Sequence, residues 1–152
     1  MLAALLLILP ACGGGGGGNE TQVVRGDGFR FEAPSGWDVR GTVATDGAVD
    51  RVGVSRFRLV KPYRPALFEA AAMELDRVAD RLAGELGGRV AARRTVTAAG
   101  ARARSYRIDY DGKTTEVTFV LSGRREYQLL CRRRSDTDDA VCRQLVSSFR
   151  LT

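Results

Sequence analysis

Histidine is absent from this 152-residue chain. Its absence removes the Ser-His-Asp and Cys-His arrangements and most metal-dependent hydrolases, which rely on an imidazole titrating near neutral pH. Lysine stands only at Lys61 and Lys113, so arginine carries nearly all the positive charge. The three cysteines show no Cys-x-x-Cys spacing, which excludes a thioredoxin-like redox pair. With no histidine to join them, Cys131 and Cys142 fall short of the four ligands that zinc takes. The glycine run Gly13–Gly18 leads into no Lys-Ser/Thr and follows no strand, so it is not a phosphate loop. No apolar run approaches the ~20 residues that span a bilayer. There is no internal repeat, and neither a catalytic residue nor a metal or other cofactor is expected.

What remains suits one small domain. Hydrophobic residues make up 44% of the chain and charged residues 28%, ordinary values for a folded globule. The net charge of +6 lies entirely beyond Cys12. Residues 12–20 are dominated by glycine, which has the most conformational entropy to lose and no side chain to bury, so they read as a flexible linker. By random-coil scaling such a segment spans about 15 Å.

Upstream of the linker, Leu2-Ala3-Ala4-Leu5-Leu6-Leu7-Ile8-Leu9 is unbroken apolar sequence ending in Pro10-Ala11-Cys12. This resembles a bacterial lipoprotein signal with the lipobox Leu9-Pro10-Ala11-Cys12. The resemblance implies a signal peptide over residues 1–11, removed on export, and a diacylglycerol (palmitate-type) anchor on the Cys12 thiol. No Lys or Arg precedes the run, unlike the usual export signal, and a start upstream of Met1 would account for that. The expected location is the extracytoplasmic face of the cell membrane, in the cell envelope.

Over residues 21–152 the periodicity alternates between strand and helix. Phe29-Arg30-Phe31 alternates apolar and polar, Pro34-Ser35-Gly36 carries turn chemistry, and Trp37-Asp38-Val39 resumes the alternation. A strand from Arg51 to Val60 changes apolar phase, which predicts a bulge near Ser55 or Arg56. Phe68, Ala71, Leu75, Val78, Leu82 and Leu86, with Ala72 and Ala79 beside them, form the stripe of a long helix that begins at Pro65 and stops at Gly87-Gly88. Asp111-Gly112 predicts a two-residue hairpin that pairs Tyr106 with Val117, Arg107 with Glu116 and Ile108 with Thr115. A second hairpin with the three-residue loop Ser122–Arg124 would set Phe119 against Tyr127 and Val117 against Leu129, gathering the apolar residues on one face. Residues 135–139 supply cap oxygens for a last helix buried through Val141, Leu145 and Phe149. The expected class is α+β: an antiparallel β-sheet packed by one long helix and a short C-terminal helix.

Cys131 closes the inner-facing pattern of a strand and Cys142 lies on the apolar face of the last helix. In an exported protein that arrangement predicts a disulfide bond, with Cα atoms within about 4.4–6.8 Å. Asp109, Asp111 and Glu116 cluster at one hairpin but read as solvated surface charge. The arginines of residues 102–107, 124–125 and 132–134 read as outward positions. Outside the cytoplasm nucleic acid is not an expected partner, whereas anionic lipid headgroups or cell-wall polyanions are nearer at hand.

The opening Gly28-Phe29-Arg30-Phe31-Glu32-Ala33-Pro34-Ser35-Gly36-Trp37 resembles the start of PsbP-like domains, as do the element order and the ending Ser147-Ser148-Phe149. The resemblance implies an antiparallel sheet with helices packed on it and no catalytic residues. It also implies a non-enzymatic binding or assembly role for a membrane-anchored extracytoplasmic lipoprotein, with an envelope protein or a glycolipid as partner. The alternative is a lipid or glycolipid carrier with an apolar pocket between the sheet and the long helix, where Ala71, Ala72 and Ala79 would leave room.

Overall fold

The computed structural model describes residues 20–152; the expected signal peptide, Cys12 and the glycine run lie outside the described residues. The described chain is an α+β fold of two antiparallel sheets and two α-helices. The smaller sheet orders its strands β1 (Thr21–Gly26), β2 (Phe29–Pro34) and β9 (Arg150–Leu151) as β1-β2-β9. The larger contains β3 (Asp38–Arg40), β4 (Val43–Asp46), β5 (Asp50–Tyr63), β6 (Arg89–Ala98), β7 (Ala101–Tyr110) and β8 (Lys113–Arg134), in the order β3-β4-β5-β8-β7-β6. Helix α1 (Phe68–Glu85) precedes β6, and α2 (Ala140–Ser148) sits between β8 and β9.

The β7–β8 hairpin forms in the expected register, with Tyr106 opposite Val117, Arg107 opposite Glu116 and Ile108 opposite Thr115. Asp111 and Gly112 take φ values of 48° and 68°, as a type I′ turn requires. The next turn corrects the expectation. Strand β8 is 22 residues long, and fully extended its ends would lie about 70 Å apart. Instead the Ser135 N–H donates to the Gly112 carbonyl at 3.0 Å, so β8 doubles back on itself. Carried inward, the register of that bond leaves Gly123-Arg124 as a two-residue loop. Gly123, at φ 55°, fills the first position, where a type II′ turn favours glycine. One arm pairs with β7 and the other with β5.

This register sets Thr118 opposite Leu129 and Val120 opposite Tyr127. Val117 and Phe119 therefore face away from Tyr127, Leu129 and Cys131. The expected single buried face was the wrong premise, because helices cover both faces of the sheet. Val117, Phe119 and Tyr106 pack with Leu75 and Ala79 under α1. Val120, Tyr127, Leu129 and Cys131 pack with Cys142, Leu145 and Phe149 of α2 and with Phe29, Phe31 and Ala33 of the smaller sheet. Helix α2 is thus held between the two sheets. Rings of Phe29, Tyr127 and Phe149 meet at centroid distances of 5.6–6.0 Å at the middle of this core.

The bulge in β5 also moves. Pairing with β8 is continuous from Arg51 to Arg58, and the register shifts only between Arg58 and Tyr63. The change of apolar phase marks a change of face instead: Val52 and Val54 are buried, whereas Phe57 is 49% exposed. β1 and β4 escape the sequence reading because each is short and buries one side chain, Val24 and Ala44 respectively.

A 3-10 turn at Pro65–Leu67 leads into α1. At its other end the Gly88 N–H reaches the Ala83 carbonyl and the Gly87 N–H that of Gly84, a Schellman cap with Gly87 at φ 71°. The buried stripe is Phe68, Ala72, Leu75, Ala79 and Ala83, and Ala79 exposes no surface. Val78, expected inside, is 39% exposed. The small side chains bring the helix close to the sheet. A polar latch holds it there: Asp76 accepts from Arg104 Nε (3.0 Å), Arg104 Nη2 (3.2 Å) and the Tyr106 hydroxyl (2.6 Å).

Candidate functional site

Under α2, on the face opposite α1, the structure leaves a half-open cleft of about 260 Å³. Leu145 and Val146 of α2 form one wall and Val96 of β6 the other, with Leu129 and the Cys131–Cys142 bridge between them. The disulfide spans a Cα–Cα distance of 5.4 Å, inside the expected range, and pins the first turn of α2 to β8. At the far end of the helix Phe149 is fully buried in the core. Held at both ends, α2 forms one side of the cleft. Ser105 and Thr118 on the floor satisfy each other at 2.9 Å, so they add no unmet polarity.

One end of the cleft is charged. Glu116, expected at the surface, is 9% exposed. Its Oε1 lies 3.4 Å from Arg94 Nη2, and its Oε2 lies 3.7 Å from Arg133 Nε. Oε2 has no hydrogen-bond donor, and the buried Nε atoms of Arg107 and Arg133 have no acceptor. Arg107, opposite Glu116 in the ladder, leans instead toward Asp109 at 3.8 Å. Burial pushes the Glu116 carboxyl above its ordinary value despite Arg133, Arg94 and Arg107, and Asp139 adds to the upward push. The arginines do not offset the burial because their contacts are long.

The three expected acidic neighbours therefore separate. Asp111 stays in the turn, Asp109 accepts from Thr114 at 2.9 Å, and Glu116 alone enters the cleft. The arginine clusters are less outward than expected. Arg104 joins the α1 latch, Arg102 stacks 4.3 Å from the Phe68 ring centroid, and Arg132 donates to the carbonyls of Val49 and Ala48. The sequence held one pointer to the charged pocket, the Arg107–Glu116 pair. Placing Arg94 and Arg133 beside it needs the β6–β7 register and the fold-back of β8.

A second hollow of about 400 Å³, lined by residues including Tyr63, Pro65, Leu121 and Gly123, lies at the turn between the arms of β8. It lacks a comparable buried charge. Among the described residues no group of three or more His, Cys, Asp or Glu side chains is placed to hold a metal ion, and no helix is long and apolar enough to cross a membrane.

No protein-family model matches the chain, and no curated protein sequence does. A crystal structure at 1.50 Å resolution from Bacteroides thetaiotaomicron VPI-5482 is similar over 87% of this chain at 7% identity, with a TM-score of 0.39. The chain spans 42% of that protein's length.

Proposed function

We propose that this protein is a membrane-anchored extracytoplasmic lipoprotein whose PsbP-like domain binds an envelope component without catalysing a reaction. The observation that carries the reading is the Cys131–Cys142 bond, since disulfides form and persist chiefly outside the reducing cytosol. The Leu9-Pro10-Ala11-Cys12 sequence adds the means of attachment. Support for a PsbP-like domain comes from its opening: Gly36 makes the turn at φ 90°, and Trp37 packs partly buried against the core. The absence of histidine, with arginines closing around Glu116, supports binding over chemistry.

A carrier function has its own support in the apolar cleft, which lies beneath α2 rather than α1. Membrane attachment is testable directly. Replacing Cys12 by Ala should move the protein from the membrane fraction to the soluble extracytoplasmic fraction, and mass spectrometry should find the wild-type chain beginning at a diacylated Cys12. Retention of the variant on membranes after a carbonate wash would sink this reading.

A further inference from the structure

We propose that the cleft beneath α2 binds one apolar chain bearing a single anionic head, with the chain along Leu129, Leu145, Val146 and Val96 and the head at Arg94. This rests on the reading of the domain as a binding module. Its test does not depend on how the protein is attached to membranes.

Volume sets the first limit. About 260 Å³ is just below the 300–1,000 Å³ typical of drug-sized ligands, so one chain fits and a two-chain lipid does not. Polarity sets the second. The hydroxyls of Ser105 and Thr118 on the floor are mutually satisfied, and Val96, Leu129, Leu145, Val146 and the disulfide supply an apolar lining beside Thr97, Arg143 and Ser147, which favours an apolar buried part over a sugar. Burying a ligand hydroxyl there without a partner would cost about 1–3 kcal/mol.

Charge identifies the head. The guanidinium groups of Arg94 and Arg133 approach the carboxylate of Glu116, with Arg107 its cross-strand neighbour. Asp109 lies near Arg107, and Asp139, at the N-cap of α2, pairs with Arg143, which leaves Arg94 and Arg133 sharing Glu116. Arg133 is partly buried, with its side chain 13% exposed, whereas the Arg94 side chain is 57% exposed and stands in the cleft wall. At 3.4 Å its contact with Glu116 is at the edge of hydrogen bonding, so Arg94 gives up little by turning to a ligand anion. Burial also biases Glu116 toward its neutral form, which lessens repulsion of a nearby negative head. A carboxylate and a phosphate both meet these terms.

The experiment is a titration of the purified full chain with decanoate, decyl phosphate and decanol, each below its micellar concentration, followed by amide chemical shifts. Both anions should bind one per chain at submillimolar concentration and shift the amides of Val96, Leu129 and Val146 but not that of Met73. Decanol should bind about tenfold more weakly, and Arg94→Ala should abolish that difference. Val146→Trp should block all three ligands, while exposed Arg58→Ala should leave them unchanged. If only one anion binds, it identifies the source of the head as a fatty acid or a single-chain lipid phosphate and upholds the site. Equal affinity for decanol and the anions overturns the assignment of the head. Absence of shifts up to millimolar ligand, or shifts confined to other regions, overturns the site. Should the Trp variant unfold, the shift map and the Arg94 variant still decide.

Discussion

Asp76 and Glu116 are both carboxylates ringed by arginine, yet their environments push them in opposite directions. Asp76 is held below the ordinary carboxylate range chiefly by the Arg104 hydrogen bonds; burial opposes them as the next-largest effect, and the Tyr106 hydroxyl lowers the value further. A depressed folded value means the unfolded chain binds the proton more readily. The stability it contributes is therefore present above the ordinary aspartate value and is lost as pH falls through the folded one. Asp76→Ala should cost about 2 kcal/mol in urea unfolding at neutral pH and progressively less in acid, because the wild type loses the interaction there as well. The Tyr106 phenol is pushed up, mainly by burial, so it stays a donor throughout. Glu116 behaves inversely. Its raised folded value means that the native state holds the proton more tightly, so stability falls as pH climbs from the unfolded value through the folded one. Glu116→Gln, which does not titrate, should therefore gain stability relative to wild type as pH rises above the ordinary glutamate value. A stability difference independent of pH would contradict this account.

At the scale of elements, α2 depends most on a single bond. The disulfide closes a short loop, with partners 11 residues apart, and in the chain-entropy model such a loop is worth roughly 3 kcal/mol. Reduction should lower the melting temperature and speed hydrogen exchange in Ala140–Ser148, while the amides of the β7–β8 hairpin stay protected. Uniform loss of protection would mean that the two halves are one cooperative unit. The disulfide, the α1 termini and the Asp111-Gly112 hairpin were legible because each rests on local chemistry: paired cysteines, capping glycines, a turn that needs positive φ. The Gly123 turn was not. Its register followed from assuming one apolar face, and a sheet covered on both sides breaks that assumption, since Val117 and Leu129 are both buried on opposite faces. The cleft was illegible for the same reason: Arg94, Glu116 and Arg133 meet only through pairings across four strands.

The described fold is closed where its first strands meet its last. Leu151 and Arg150 pair with Phe29 and Arg30, the Thr152 N–H donates to the Gly28 carbonyl at 3.1 Å, and the Ser148 hydroxyl accepts from the Glu32 N–H at 2.9 Å. Ribosomes and translocation pores alike deliver a chain from its amino end. Phe29 and Phe31 therefore emerge long before Leu145 and Phe149, the residues that cover them. Contacts between such distant segments form late, because their loop-closure entropy is met only when both partners are present. Chains stalled on the ribosome before Ala140 should remain open to protease, whereas released full-length chains should resist it; early protection would show that the core closes without α2. The order of synthesis thus acts as a timer, keeping the polypeptide open until Leu145 and Phe149 are free.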